Sequence, residues 1–311
     1  MKFGMFGGAR SAPGVEDGYY EGYNAYIDAV VEADRLGYHS NFIVEHHFSG
    51  MGQVSASLNV LAYLAAKTER IRLGTAVVVL PWHNPVLVAE QAATVDLLSG
   101  GRFDFGVGKG YRFNEFEGFC IPAEEATERF EEAMDVIRKA WTTEGRFSHR
   151  GKRWRYDNIV IEPEPVQKPH PPFWLAAGRP ESLRYAAAEG YKLFLDQFQT
   201  FDVMLERFRI YRQAVEESGR TFDPMDVAVA RGLLIAKTPE EREAAIAARM
   251  KSQEVMNAYG TSADKKTKSS MVSDPDLRKA ATEGTLIGTP DEIVERLKRL
   301  EREGVGYVIL S

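Results

Sequence analysis

The chain has 311 residues but a single cysteine, Cys120. One thiol excludes an intrachain disulfide and fits a reducing compartment. Long apolar runs are also missing. The longest, Ala76 to Leu80, falls far short of the roughly 20 residues that a membrane-spanning helix needs. No signal-like apolar stretch precedes the first strand candidate at Lys2, so the expected location is cytoplasmic. Basic charge is scarce as well, with 39 Lys and Arg against 45 Asp and Glu and a net charge of −6. That balance argues against a nucleic-acid partner, because pairs such as Lys265-Lys266 are too short to make a basic face. HExxH, CxxC and Walker A patterns are all absent, so no metal site is expected.

What the sequence does have is 44% hydrophobic residues, ample for a large core, and a regular alternation of strand and helix patterns. Strands are expected at Lys2–Phe6, Ser40–Glu45, Ile71–Leu80, Arg102–Gly108, Phe173–Ala177, Lys192–Asp196, Val227–Lys237 and Tyr307–Leu310. Helices are expected near Tyr19–Leu36, Ser55–Ala66, Pro85–Leu98, Thr127–Thr143, from Glu181, and at Pro290–Glu303 behind a Thr289 cap. Parallel neighbours need helical crossovers, so the alternation implies a parallel α/β sheet. Eight strands is the number that closes a (β/α)8 TIM barrel, which the count favours; a doubly wound open sheet gives much the same alternation. The expectation is one domain over residues 1–311, with a hairpin insertion at about 147–164 and a long polar, lid-like loop at about 252–285. The chain stops at Ser311, directly after the eighth strand, where a closed barrel ordinarily has one more helix.

Three strand ends carry chemistry-bearing residues. The first is E-H-H-F at Glu45–Phe48, where a carboxylate and two imidazoles meet the end of an apolar strand. Consecutive side chains of a strand face opposite ways, so His46 and His47 do not form a chelating pair. Two histidines satisfied by a neighbouring carboxylate is the plainer reading; the carboxyl ends of barrel strands are where catalytic groups sit. The second stretch runs from Gly106 to Arg112, with three alternate glycines beside Lys109 and Arg112, either a turn with solvated charges or a close backbone approach to an anion. Its spacing does not match a dinucleotide fingerprint, and residues 113–122 lead on before any expected helix. The third, Ala176 to Ser182, opens a helix whose unpaired N–H groups could meet phosphate, with Arg179 and Ser182 beside them, or which is simply capped.

Taken in order, these stretches resemble the bacterial luciferase-like family of flavin-dependent monooxygenases. The likeness includes L-G-T-A-V-V-V-L-P at Leu73–Pro81, H-N-P after it, A-E-Q-A-A-T-V-D-L-L-S-G-G-R at Ala89–Arg102 and G-V-G-K-G-Y-R-F-N-E-F at Gly106–Phe116. The resemblance implies a barrel that binds FMN at the carboxyl ends of its strands. Lys109, Arg129, Arg179 and Ser182 would hold the phosphate, with Gly110, Tyr111 and Gly178 nearby. Ala76 and Val77 would lie beneath the flavin ring and share a non-proline cis peptide, while His46 would be the catalytic histidine, supported by His47 and Glu45. Two departures are visible. Lys109 replaces an arginine, and Gly108 stands where luciferase has its reactive cysteine, so light emission is not implied.

The activity implied is that of a two-component monooxygenase. Reduced FMN from a separate NAD(P)H-dependent flavin reductase and O2 would oxygenate a small apolar aldehyde, ketone or hydrocarbon through a flavin C4a-hydroperoxide. The resemblance also implies a homodimer. Phe6, Trp82, Phe113, Phe194 and Phe198 are candidate substrate contacts or plain packing. The alternatives are a deazaflavin-dependent hydride-transfer oxidoreductase on the same barrel and a non-catalytic flavin-binding partner subunit.

Overall fold

The structure is a computed structural model and describes residues 1–10, 16–266, 268 and 276–311. In chain order its first elements are β1 (Lys2–Gly7), α1 (Gly18–Leu36), β2 (Ser40–Ile43), α2 (Ser57–Lys67), β3 (Arg72–Thr75), β4 (Val78–Val79), α3 (Pro85–Leu98), β5 (Phe103–Gly108), α4 (Phe113–Gly118) and α5 (Ala126–Thr142). There follow β6 (Phe147–Arg150), β7 (Arg155–Ile159), β8 (Phe173–Ala176), α6 (Pro180–Ala188), β9 (Lys192–Leu195), α7 (Phe201–Glu217), β10 (Val227–Arg231) and β11 (Leu233–Ile235). The last are α8 (Pro239–Tyr259), α9 (Leu277–Gly284), β12 (Leu286–Gly288), α10 (Pro290–Arg302) and β13 (Tyr307–Leu310). The main sheet has the order β3-β2-β1-β13-β10-β9-β8-β5-β4, and β3 also pairs with β5, which closes the ring. With β3 and β4 counted as one interrupted stave, this is the parallel eight-stranded (β/α)8 barrel that the strand count favours over an open sheet.

By its contacts the chain divides into two compact units. One comprises residues 7–110 and 114–174, the other residues 1–6, 111–113 and 175–311. In the first, β2 and β5 are buried along their whole length, which is why they read as continuous apolar runs rather than alternating ones. Phe42 of β2 packs edge-on against Trp174 at 5.4 Å, and Trp141 of α5 meets Phe105 and Phe173 at 5.3 and 5.7 Å. Fully burying a side chain of this kind stabilises the fold by about 2–3 kcal/mol. Helix α3 starts where Asn84 accepts hydrogen bonds from the Val86 and Leu87 N–H groups and Pro85 takes the first helical position. The expected hairpin is there, as antiparallel β6 and β7.

In the second unit β10 lies between β9 and β13, all parallel. Helix α7 buries Met204, Leu205, Phe208, Tyr211 and Val215, and the Tyr211 hydroxyl donates to the Tyr191 carbonyl at 2.6 Å. A smaller cluster of Ala236, Ile246, Ala281 and Ile287 ties α8 and α9 to β12.

Five expectations are corrected. The strand expected at Ile71–Leu80 is interrupted, because the Ala76–Val77 peptide is cis and Leu80–Trp82 forms a 3-10 turn. The strand expected at Val227–Lys237 leaves the barrel after Arg231; its second half, β11, pairs with β12 in a separate sheet with Leu234 and Ile235 exposed. Helix α7 was not expected at all. A short helix, α4, stands within residues 113–122, where none was expected, because Asn114 and Glu115 are tied back to the turn after β2. The stretch 252–285 is not one long loop: α8 continues to Tyr259 and α9 occupies Leu277–Gly284. Helix α8 is polar nearly all round, burying only Ile246 and Gln253, so its apolar period is faint; a capping box of Thr238 and Glu241 starts it instead. The rest of the lid expectation falls partly on residues 267 and 269–275, outside the described residues.

One buried acid joins helix to strand in the first unit. Asp34, on the apolar side of α1, accepts the backbone N–H groups of Glu69, Arg70 and Ile71 at 2.8, 3.1 and 2.7 Å. Asp34→Ala leaves those three donors without their acceptor, and we expect a loss on the order of 3 kcal/mol. Urea unfolding should show a lowered midpoint, with a smaller loss for Asp34→Asn.

Candidate active site

Strand β2 ends at Ile43, so Glu45, His46 and His47 lie on the turn that follows it. That turn is pinned by its backbone: Val44 N–H donates to Gly7 and His46 N–H to Val54, at 2.7 and 2.8 Å. With strand alternation over, the two imidazoles take different carboxylates. His46 Nδ1 lies 3.1 Å from Glu115 Oε1, which also accepts the backbone N–H of His47 at 2.9 Å. His47 Nε2 lies 3.2 Å from Glu45 Oε1. Glu45 Oε1 further accepts from Trp82 Nε1 at 3.2 Å and pairs with His83 Nε2 at 2.8 Å, while Ser57 donates to Oε2 at 3.5 Å.

Both carboxylates are buried, at 3% exposure for Glu45 and 1% for Glu115. Burial on its own works to raise the pKa of Glu45. The hydrogen bonds and charge of His47 and His83 outweigh it and hold the group at about 2. Glu115 Oε1 lies against both His46 Nδ1 and the His47 N–H and so fixes the orientation of the His46 ring. This is an oriented proton-transfer group of the kind that general acid–base catalysis requires.

Aromatic rings pack around His47. Trp82 stacks on Phe119 at 5.1 Å, and Phe119 meets His47 and Phe48 edge-on at 4.9 Å each. Phe48 has a φ of +53°, a left-handed conformation uncommon for a bulky residue, with its ring against Gly118.

The turn after β5 is shaped by two glycines. A Cβ on Gly108 would lie 2.6 Å from Val77 Cγ2, so the cysteine of luciferase does not fit here without displacing Val77. Gly110 has a φ of +80°, and a Cβ there would press on Val79, Phe116 and Trp82 at 2.9–3.1 Å. Between them Lys109 is half-buried, 3.4 Å from Thr127 Oγ1 and above the Phe130 ring at 5.6 Å. Burial lowers its pKa, and Glu131 opposes that. Arg129 is engaged by Glu125, at 2.9 and 3.0 Å. Arg112 is not an exposed anion contact: it is fully buried between the Tyr111 and Tyr259 rings and donates to the Tyr111 hydroxyl and to Met256 Sδ.

Of the residues expected from sequence, Glu45, His46, His47, Ala76, Val77, Lys109, Gly110 and Arg129 belong to one unit, and Tyr111, Gly178, Arg179 and Ser182 to the other. Within the latter, Arg179 is exposed at the N-cap of α6, where no side chain caps the helix, and Ser182 lies in its first turn. Gly178 backs on to the Arg207 guanidinium, since a Cβ there would lie 3.0 Å from Nη1. Sequence reasoning missed Glu115 and His83 as functional residues, although both lie in the stretches that carried the resemblance. The signal was an acid inside the apolar F-N-E-F and a histidine directly before a helix cap.

The sequence pattern of the family described as luciferase-like monooxygenase matches residues 1–306. The chain is 29% identical over 225 residues to the oxygenase component of a flavin-dependent trigonelline monooxygenase from Acinetobacter baylyi, covering 72% of this chain and 62% of that protein. Against that and two further curated relatives it spans only 62, 55 and 48% of their lengths. Among solved structures, the monooxygenase RslO1 of Streptomyces bottropensis superposes with a TM-score of 0.83 at 26% identity, over 100% of this chain and 91% of that one. The oxygenating constituent of 3,6-diketocamphane monooxygenase from Pseudomonas putida, solved with FMN, gives 0.81 at 21% identity with the same coverage; at that identity the likeness is one of fold.

The Glu45 network gives a pH signature. Its carboxyl is depressed from an ordinary value of 4.5 to about 2, so its contribution is complete above pH 4.5 and is lost as pH falls towards 2. The shift corresponds to on the order of 3 kcal/mol. Thermal melts of wild type and Glu45→Gln should therefore differ most near neutral pH and converge on acidification. A gap that is constant with pH would mean that the charge of Glu45 is not what the histidines hold.

Proposed function

We propose, on the premise that this chain belongs to the luciferase-like monooxygenase family, that it is the oxygenase component of a two-component, FMN-dependent monooxygenase. The observation that carries the reading is the Glu115–His46 pair at the end of β2, with its neighbouring acid, Glu45, held ionised. Bound reduced FMN would supply the electrons that activate O2. The turn after β5 offers such a group a half-buried cation, Lys109, between two glycines that have no side chain of their own. Lys109 in one unit would meet a phosphate, and in the other Arg179 and Ser182 at the N-terminus of α6 suit an anion. Arg129 would act there while shared with Glu125.

His46 would take or deliver a proton at Nε2. Glu115 fixes the ring and stabilises its charged form, and His47, held by Glu45, keeps the turn in place. The aromatic cluster of Trp82, Phe116 and Phe119 excludes water from that side and suits a small apolar substrate such as an aldehyde, ketone or hydrocarbon. A separate NAD(P)H-dependent reductase would deliver the reduced flavin, in keeping with the relative described as an oxygenase component. Assembly as a homodimer belongs to the same reading.

The test is anaerobic titration with reduced FMN and, in parallel, reduced deazaflavin, followed by admission of oxygen with candidate substrates present. Tight binding of reduced FMN and oxygen-dependent product are expected; preference for the deazaflavin would replace this reading with hydride transfer. His46→Ala should hold FMN within about threefold of wild type yet form product at least about a hundredfold more slowly. Unchanged turnover in that variant would remove His46 from the reaction.

A further inference from the structure

A second cationic group, outside the histidine network, lies in the unit that contains residues 175–311. Arg231, the last residue of β10, is fully buried. Its Nη1 donates to the carbonyls of Asp196 and Ala230, at 2.7 and 2.8 Å, and the Phe201 ring lies 5.2 Å from its guanidinium carbon. Neither Nε nor Nη2 has a hydrogen-bond partner among the described residues. These two atoms form one edge of the guanidinium, the edge whose parallel N–H groups match the two oxygens of a carboxylate. The carbonyls that take Nη1 fix the plane of the group and so fix where that edge points.

The charged groups around it are mostly of its own sign. Asp196 acts on Arg231 with the opposite sign, but its carboxylate is already held by Arg207 Nη1 at 2.5 Å and by the Phe198 N–H at 2.8 Å. Arg249, Arg296 and Arg207 all act on Arg231 with the same sign. Arg249 itself is fastened to Gln197, through the carbonyl at 2.5 Å and the side chain at 3.1 Å. Two further buried polar atoms without partners occur on neighbouring segments. They are Gln253 Oε1, whose amide donates to the Phe198 carbonyl, and Thr285 Oγ1, whose methyl packs against Gly232. A buried cation with an unmet edge costs several kcal/mol unless an anion meets it.

We infer that the Nε–Nη2 edge of Arg231 is a binding site for the carboxylate of a small organic acid. The site is independent of the flavin reading, since none of its residues is among those assigned to FMN. A substrate or effector that carries a carboxylate would be held bidentately, with Arg249 adding charge but no required contact.

The test uses the full chain without flavin, labelled with 15N-arginine, and titrated at constant ionic strength with sodium acetate and, separately, inorganic phosphate. Acetate should bind saturably, by calorimetry and by a shift of the Arg231 Nε–H resonance. Arg231→Met should abolish the binding, and Arg231→Lys should weaken it at least about tenfold, because an ammonium cannot present two parallel donors. Arg231→Met should also melt no lower than wild type in the absence of acetate, as removing a buried charge with an unmet edge is not costly. Wild-type protein that takes up neither anion, or Arg231→Met or Arg231→Lys protein that binds acetate as wild type does, overturns the site. Saturable binding of phosphate but not acetate at Arg231 overturns the carboxylate assignment.

Discussion

The ionised carboxylate of Glu45 is the constraint from which the arrangement of the turn after β2 follows. A carboxylate this deeply buried is tolerable only when its lone pairs are met, and here two imidazoles, an indole and a hydroxyl meet them. Those donors come from the turn after β2, the 3-10 turn after β4 and helix α2, so one acid fixes three separate segments. With His47 committed to Glu45, His46 is left to Glu115, and the two adjacent histidines acquire separate partners. Glu115 in turn places the short helix α4, which explains why a helix stands where the sequence suggested none.

Backbone shape rather than side-chain chemistry prepares the other face of the site. Gly108 and Gly110 differ in the reason they are glycine: the first has Val77 against it, the second has a positive φ as well as close neighbours. A cysteine at position 108 would collide with the side chain of Val77. Lys109, held between them, keeps its stem against Phe130 and its ammonium beside Thr127.

Much of this was legible in the sequence, and the failures have physical causes. Most of the strands and helices with buried, apolar faces were found close to their bounds, and Pro85–Leu98 and Tyr307–Leu310 were found at them. The interrupted stave at Ala76–Val77 and the departure of β11 from the barrel were not legible, because apolar composition does not reveal where a strand breaks or changes sheets. Helix α8 was lost because it has almost no apolar stripe, whereas α7 has one, at Phe201, Met204, Leu205 and Phe208, and was overlooked. At the site, the two histidines and Glu45 were singled out from their place at a strand end, but Glu115 and His83 were not. Glu115 is distant in sequence and only the fold brings it to His46.

The composition of α8 has a consequence for how the second unit opens. Its inner face is fastened by directional contacts, from Arg249 to Gln197, Gln253 to Phe198 and Met256 to Arg112, with Ile246 its one fully buried apolar side chain. Contacts of this kind release without exposing much hydrocarbon to water, so undocking this helix carries a small heat-capacity change. In hydrogen–deuterium exchange the amides of α8 should therefore lose protection through a sub-global opening, well before those of β9, β10 and β13 beneath the same unit's core.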